Sequence, residues 1–99
     1  MSLFFNRIYF QGTAASGGVK KTAFVKGLLR HIIVLPLTSS TVYDFYISDG
    51  SSLQLFGRES TTGELNETPQ IPVQGNIELV VTGSTRDELF KIYTAIQEI

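Results

Sequence analysis

The chain has 99 residues, 42% of them hydrophobic, with 8 Lys or Arg against 9 Asp or Glu, one His, and no Cys or Trp. This length and apolar content predict a single folded domain, since a chain of this size buries roughly two thirds of its unfolded surface. The lack of Cys excludes disulfides, thiol nucleophiles and thiolate metal sites, the single His excludes sites built from paired imidazoles, and no apolar run has the length of a membrane-spanning helix.

The first twelve residues form an apolar segment. Four of the first ten residues are aromatic: Phe4, Phe5, Tyr9 and Phe10. Asn6 and Arg7 interrupt the apolar residues, so the segment does not resemble a secretory signal. Small residues follow and predict a flexible linker. We therefore predict an N-terminal arm at 1–12, a linker at 13–18 and one domain at 19–99.

Two stretches rich in branched residues, 19–25 and 28–37, predict the first strands of the domain. The second stretch ends near Pro36, which cannot donate a ladder hydrogen bond and is therefore typical of strand ends and edges.

A hairpin follows in the middle of the chain. Residues 42–48 alternate in the period of a half-buried strand, and Asp49-Gly50 favours a tight turn into a return strand at 52–56. The polar stretch 57–72 predicts a long loop that has room for a short edge strand. Residues 75–83 predict another strand, bounded by glycines.

The last segment, 85–99, fits two structures. Ser84 to Asp87 has the form of a capping box, and apolar residues then recur at helical spacing. The same residues also alternate as a final strand from Phe90 to Ile96. The pattern alone slightly favours the helix, which would give an α+β fold. With a final strand, the chain is expected to be all-β, an antiparallel β-sandwich or jelly roll with an extended N-terminal arm.

Five carboxylates in the middle of the chain are candidates for an acid/base pair or a calcium site. They are Asp44, Asp49, Glu59, Glu64 and Glu67. Their spacing matches no calcium-binding loop, and Asp49 is accounted for by the turn. His31 stands near no recognisable nucleophile motif. We therefore expect no catalytic residue, no cofactor, no metal and no enzymatic activity.

The net charge of −1 conceals a division along the chain. Residues 1–43 carry five cations and no carboxylate, a charge of +5, whereas residues 44–99 carry nine carboxylates and three cations, a charge of −6. Segregation of this kind bears on association rather than on fold. Basic residues near Phe24 are also typical of single-strand nucleic-acid binders, but the acidic chain as a whole argues against nucleic acid.

The arm and the basic segment together predict a subunit or partner interface: Phe4, Phe5, Ile8, Tyr9, Phe10, Lys20, Lys21, Lys26 and Arg30. Two placements of the arm stay open at this point. It either folds back on its own domain as an extra strand, or it reaches a neighbouring subunit whose sheet has a free edge.

From Gly27 onward, the order of four short motifs resembles a pattern in small structural proteins of tailed-phage virions. These motifs are Ile33-Val-Leu-Pro36, Ser39-Ser-Thr-Val-Tyr-Asp-Phe45, Ile47-Ser-Asp-Gly50 and Ile71-Pro-Val-Gln-Gly75. Proteins of this kind are capsid decoration or cement modules with a β-sandwich fold and no catalytic residues. The resemblance therefore favours a strand at 85–99.

The resemblance implies a non-enzymatic virion subunit, made in the host cytoplasm and placed on the capsid surface. Its expected partners are further copies of itself, as a dimer or trimer, and the major capsid protein. We expect no membrane and no small-molecule substrate. The alternative function is a carbohydrate- or ligand-binding β-sandwich in which exposed Tyr43, Tyr46 or Tyr93 stacks on sugar rings.

Overall fold

The computed structural model describes residues 5–13, 19–49 and 53–97, and the regular structure in these ranges is entirely β-strand. The strands are β1 (Phe5–Thr13), β2 (Val19–Pro36), β3 (Val42–Asp49), β4 (Gln54–Thr62), β5 (Leu65–Glu67), β6 (Ile71–Thr82) and β7 (Leu89–Gln97). No helix suited to crossing a membrane occurs in these ranges.

The strands form one antiparallel sheet in the order β1-β7-β2-β6-β3-β4, with β5 also beside β2. Strand β2 changes partners along its length: residues 19–29 pair with β6, whereas residues 28–36 pair with β7 on the opposite edge. The sheet therefore divides into two layers that share β2. The first layer contains β4, β3, β6 and residues 19–29, and the second contains β1, β7, residues 28–36 and β5.

A β-bulge at Arg30 allows one strand to serve both layers. The register with β7 shifts between Leu29 and His31, because Arg30 is an extra residue on β2. Before the bulge the buried side chains are at odd-numbered positions, such as Val25 and Leu29. After it they are at even-numbered positions, Ile32 and Val34. The two strands expected at 19–25 and 28–37 are thus one continuous strand whose inward face is reset by the bulge.

The two layers pack face to face. The rings of Tyr43 on β3 and Phe90 on β7 meet edge to face, with centroids 5.1 Å apart. These strands lie three places apart in the sheet, which would separate them by about 14 Å if the sheet were flat. The sheet therefore curls over a single core, and the predicted all-β antiparallel fold is confirmed. The core residues are Val25, Leu29, Ile32, Val34, Tyr43, Phe45, Ile47, Phe56, Leu65, Val73, Ile77, Leu79, Val81, Phe90, Ile92 and Ile96.

The last segment is a strand, as the resemblance favoured. β7 pairs with β1 on one edge and with β2 on the other. Its even-numbered residues are buried, while Lys91 and Tyr93 are exposed. Ser84 does not cap a helix, because its hydroxyl instead bonds to the backbone of Arg86 in a turn. Pairing on both edges provides more ladder hydrogen bonds than a short isolated helix would.

The polar stretch 57–72 is less of a loop than predicted. β4 continues to Thr62, β5 occupies part of the stretch, and β6 begins at Ile71. Ser60 lies in a bulge of β4 with a positive φ of 52°, and its N–H donates to Asp44 Oδ1 at 2.8 Å. Polar residues on this exposed edge strand face water, so their composition indicated a loop.

The arm lies partly in the described residues. β1 pairs with β7 of the same chain and forms the outer strand of the second layer. Thr13, expected in the linker, is its last residue. Phe4 and residues 14–18 lie outside the described ranges, and the division of the chain at residues 12 and 18 stays a prediction.

Replacing Tyr43 by Phe is expected to destabilise the fold by about 1–2 kcal/mol. The Tyr43 hydroxyl donates to the buried carbonyl of Gly63 at 2.7 Å, and burial raises the pKa of this hydroxyl above its ordinary value of 10. The variant leaves that carbonyl unpaired. Urea denaturation measures the loss, and Tyr46→Phe, which removes a surface hydrogen bond to Glu59, should change stability by less than about 0.5 kcal/mol. Equal losses would contradict this account.

Alanine substitution should distinguish two glycines with positive φ. A Cβ at Gly63, where φ is 71°, would lie 2.7 Å from the carbonyl oxygen of Ser39, whereas a Cβ at Gly75, where φ is 105°, would meet nothing within 4 Å. Both substitutions carry a conformational cost of about 1–2 kcal/mol. Gly63→Ala must also displace backbone, so its unfolding midpoint should fall clearly below that of Gly75→Ala. Matching midpoints would show that the contact with Ser39 does not matter.

Candidate binding surfaces

The carboxylates considered for chemistry bond within the strand framework and do not converge. Their donors are Ser60 N for Asp44, Leu53 N for Asp49, Tyr46 Oη for Glu59 and Arg58 Nε for Glu67, at 2.8 to 3.1 Å, while Glu64 is exposed. Among the described residues, no three His, Asp or Glu side chains are placed to hold a metal ion. These contacts assign the carboxylates to turns, bulges and strand edges.

Glu88 is the one buried carboxylate among the described residues, 8% exposed, and it ties the loop between β2 and β3 to the loop before β7. Its oxygens accept hydrogen bonds from the Thr38 N–H at 2.5 Å and from the Thr41 hydroxyl at 2.8 Å. Desolvation by burial raises the pKa of Glu88, but these hydrogen bonds and the charge of Arg86 outweigh it. The pKa therefore lies below its ordinary value of 4.5.

Stability should fall in acid partly through Glu88. A carboxyl whose folded pKa is lowered stabilises the fold above its unfolded pKa of 4.5, and this contribution is lost as the pH falls through the folded pKa. Glu88→Gln should therefore flatten the decline in unfolding free energy below about pH 4.5. Thr41→Val removes one donor and should shrink the same decline. Urea denaturation between pH 2 and 7 tests both, and an unchanged slope in Glu88→Gln would contradict the assignment.

The outer side of the second layer carries a row of apolar side chains. Tyr9 on β1, Tyr93 on β7 and Ile33 on β2 are successive partners in register. The two tyrosine rings have centroids 4.7 Å apart at 32°, and their residues are 48% and 39% exposed. The two neighbouring rings, which we call the stacked pair, form an aromatic surface that faces water.

The apolar row continues toward the end of β2. Leu35 is half-buried beside Lys91, and Leu37 is 72% exposed. Together with Pro36 and Leu89 they line a shallow depression of about 260 Å³. We call the surface formed by Tyr9, Ile33, Leu35, Leu37 and Tyr93 the apolar face.

Several polar groups beside the apolar face are neutral or basic. His31 bonds to Asn66 at 2.7 Å, Arg30 donates to Gln97 at 3.0 Å, and Lys91 is exposed. Glu67 on β5 is turned away, because it pairs in register with the buried Ile32 and is bound by Arg58. Arg30 and Lys91 therefore place positive charge beside the apolar face.

The predicted interface residues do not form one surface. Tyr9 lies on the apolar face, Arg30 lies at the bulge, and the lysines lie on the first layer. Phe5, Ile8 and Phe10 belong to β1, and Phe4 lies outside the described residues. Sequence reasoning missed Ile33, Leu35 and Leu37. The alternation of residues 89–97 did signal that Tyr93 points away from the core, but register across three strands was needed to place it beside Tyr9 and Ile33.

The tyrosines proposed for carbohydrate stacking differ in exposure. Tyr43 is fully buried against Phe90, so the expectation that it is exposed is wrong. It belongs to the inward phase of β3. Tyr46 is half-buried, and its hydroxyl donates to Glu59.

No protein-family model and no curated protein matches the chain. Among solved structures, it is similar to infectious bursal disease virus VP2 in a subviral particle, at 14% identity and a TM-score of 0.43, over 96% of this chain and 33% of that one. The structure of the Gx strain of that virus matches at 11% identity and a TM-score of 0.41, over 97% of this chain and 32% of that one. A mutant VP2 in T=1 particles matches at 10% identity and a TM-score of 0.39, over 97% of this chain and 32% of that one. The chain spans about a third of these proteins, and a likeness at these values assigns it no function.

Proposed function

We propose that the chain is a non-enzymatic structural subunit of a virion, a capsid decoration or cement protein made in the host cytoplasm. In this proposal it sits on the capsid surface and binds the major capsid protein through the apolar face. The observation that carries the proposal is the row Tyr9, Tyr93 and Ile33 on the outside of a sandwich whose core is already closed. The resemblance of the ordered motifs to those of tailed-phage structural proteins suggests the virion context.

The apolar face has the composition of a binding surface. Contiguous apolar side chains on the outside of a domain mark interaction sites, and tyrosines are enriched among the residues that contribute most to binding. Covering roughly 200 Å² of apolar surface contributes about 5 kcal/mol before the costs of association. The stacked Tyr9 and Tyr93 are already ordered, so little side-chain entropy is lost on binding.

The positive charge beside the apolar face indicates the charge expected on its partner. Arg30, His31 and Lys91 lie beside the apolar face, and Glu67 of the neighbouring β5 is turned away from it. A complementary partner presents an apolar patch with acidic residues at its rim. Arg30 and Lys91 supply the positive charge of this contact, whereas the lysines of residues 20–26 lie on the first layer.

Replacing Tyr93 by Ser should weaken binding to viral particles about tenfold or more, because it removes half of the stacked pair. The measurement is co-sedimentation of the purified chain with particles of the virus whose genome encodes it. Tyr9→Ser should have a similar effect. Tyr46→Ser is the matched control, since Tyr46 is a half-buried tyrosine on β3 of the first layer, away from the apolar face.

Circular dichroism first establishes that each variant is folded. Wild-type chain that does not co-sediment would contradict the virion role. Wild-type chain that binds equally well with and without the two tyrosines would contradict the use of the apolar face.

Carbohydrate binding is the second candidate, and the exposed Tyr93 beside Tyr9 favours it. Two tilted rings that face water, with His31 and Asn66 within the same layer, offer stacking and hydrogen bonds to a sugar. A glycan array distinguishes the two functions. Glycan binding that Tyr93→Ser abolishes would place this candidate first.

A further inference from the structure

The first layer has two edges that no described strand covers. On one side, residues 19–27 of β2 pair with β6 and with no other described strand, because β7 as described reaches no further along β2 than Leu28. On the other side, β3 is the only described strand that pairs with β4. Unpaired strand edges expose backbone donors and acceptors that accept a further strand. We call these the β2 edge and the β4 edge.

The two edges carry opposite charge. The β2 edge presents Lys20, Lys21 and Lys26, and β2 contains no carboxylate. Of these cations, Lys20 forms an ion pair with Glu78 of β6 at 3.1 Å. The β2 edge therefore keeps exposed positive charge at Lys21 and Lys26.

At the β4 edge, Glu59 is exposed, and Glu64 is exposed in the short segment that joins β4 to β5. The nearby cation Arg58 is bound by Glu67 at 2.8 Å and lies over the Phe56 ring. Its charge is therefore compensated within the chain, and the β4 edge is net acidic.

Strand direction allows the two edges to pair between copies. The first layer contains four strands that alternate in direction, so β2 and β4 run in opposite directions. A second copy in the same orientation places its β4 antiparallel to β2 of the first. The alternation of the sheet then continues across the junction without a break.

Each of the two edges that would meet carries an exposed apolar residue. Phe24 on the β2 edge is 71% exposed, and Leu53, just before β4, is 63% exposed. Leu53 bonds to Asp49, which pairs with Ile77, and Ile77 pairs with Ala23, the neighbour of Phe24. Phe24 and Leu53 therefore lie at nearly the same height along the strands, on opposite edges of the first layer. Two copies placed side by side bring Phe24 of one copy close to Leu53 of the other.

We infer that copies of the chain associate head to tail, with the β2 edge of one copy against the β4 edge of the next. Symmetric pairing of two β2 edges would oppose lysines, and pairing of two β4 edges would oppose glutamates, which is unfavourable in both cases. A contact between two different edges produces a closed ring of three or more copies or an open chain, rather than a two-fold dimer. The inference concerns the first layer and does not depend on the proposed capsid contact.

Charge reversal of each edge tests the inference. Lys21→Glu with Lys26→Glu makes both edges acidic, and Glu59→Lys with Glu64→Lys makes both edges basic. Lys20 is kept because it pairs with Glu78 inside the chain. Each double variant alone should sediment as a monomer of 10.9 kDa, whereas an equimolar mixture should assemble, since every junction again joins opposite charges.

Analytical ultracentrifugation at about 0.05 M and about 0.5 M salt measures the association, which should weaken at the higher salt. Lys91→Glu is the matched control, since it reverses a cation on the second layer and should assemble as the wild type does. Circular dichroism confirms that each variant is folded.

Three results would overturn the inference. They are a wild-type chain that is monomeric at both salt concentrations, a mixture that stays monomeric, and self-assembly of the variant with two basic edges. Tyr93→Ser should leave the assembled mass unchanged, so failure of this inference and failure of the proposed capsid contact are separately visible.

Discussion

The bulge at Arg30 is the constraint on which the architecture depends. One strand pairs with β6 over its first part and with β7 over its last part, and the extra residue keeps apolar side chains inward in both. If the alternation ran on unchanged, Ile32 and Val34 would face water and the second layer would lose the centre of its inner side. The core, the outer side of each layer and the two edges of the first layer all depend on this exchange of inward and outward positions in β2.

Much of the fold could be predicted from local pattern, because alternation of side chains and the Asp49-Gly50 turn are local signals. What escaped prediction depends on pairing between distant segments. The polar residues of β4 and the capping-box letters at Ser84 each have a local preference that tertiary pairing overrides. A bulge likewise leaves only a change of phase in the sequence, which is easily mistaken for a break between strands.

The binding surface was harder to predict than the fold. Composition identified Tyr9 as an interface residue. Its neighbours Tyr93 and Ile33 lie 84 and 24 residues after it in the sequence. The registers of β1 with β7 and of β7 with β2 bring the three residues side by side. Part of the charge division along the sequence becomes a spatial one, since Lys20, Lys21 and Lys26 of the first half lie on the β2 edge and Glu59 of the second half lies on the β4 edge. One chain therefore presents an apolar surface on one layer and complementary edges on the other.

The order of pairing also determines when each strand can take its place during synthesis. Every partner of β2 follows it in the chain, beginning with β5 at Leu65, and β1 pairs only with β7, which begins at Leu89. The hairpin of β3 and β4 is the early local unit. The longest strand therefore emerges unpaired, with its apolar run from Ile32 to Leu35 preceded by Arg30 and His31 and followed by Pro36, and a charge and a proline of this kind oppose aggregation. Contacts of such long range slow folding, and β1, which precedes the other described strands in the chain, is among the last of them to dock.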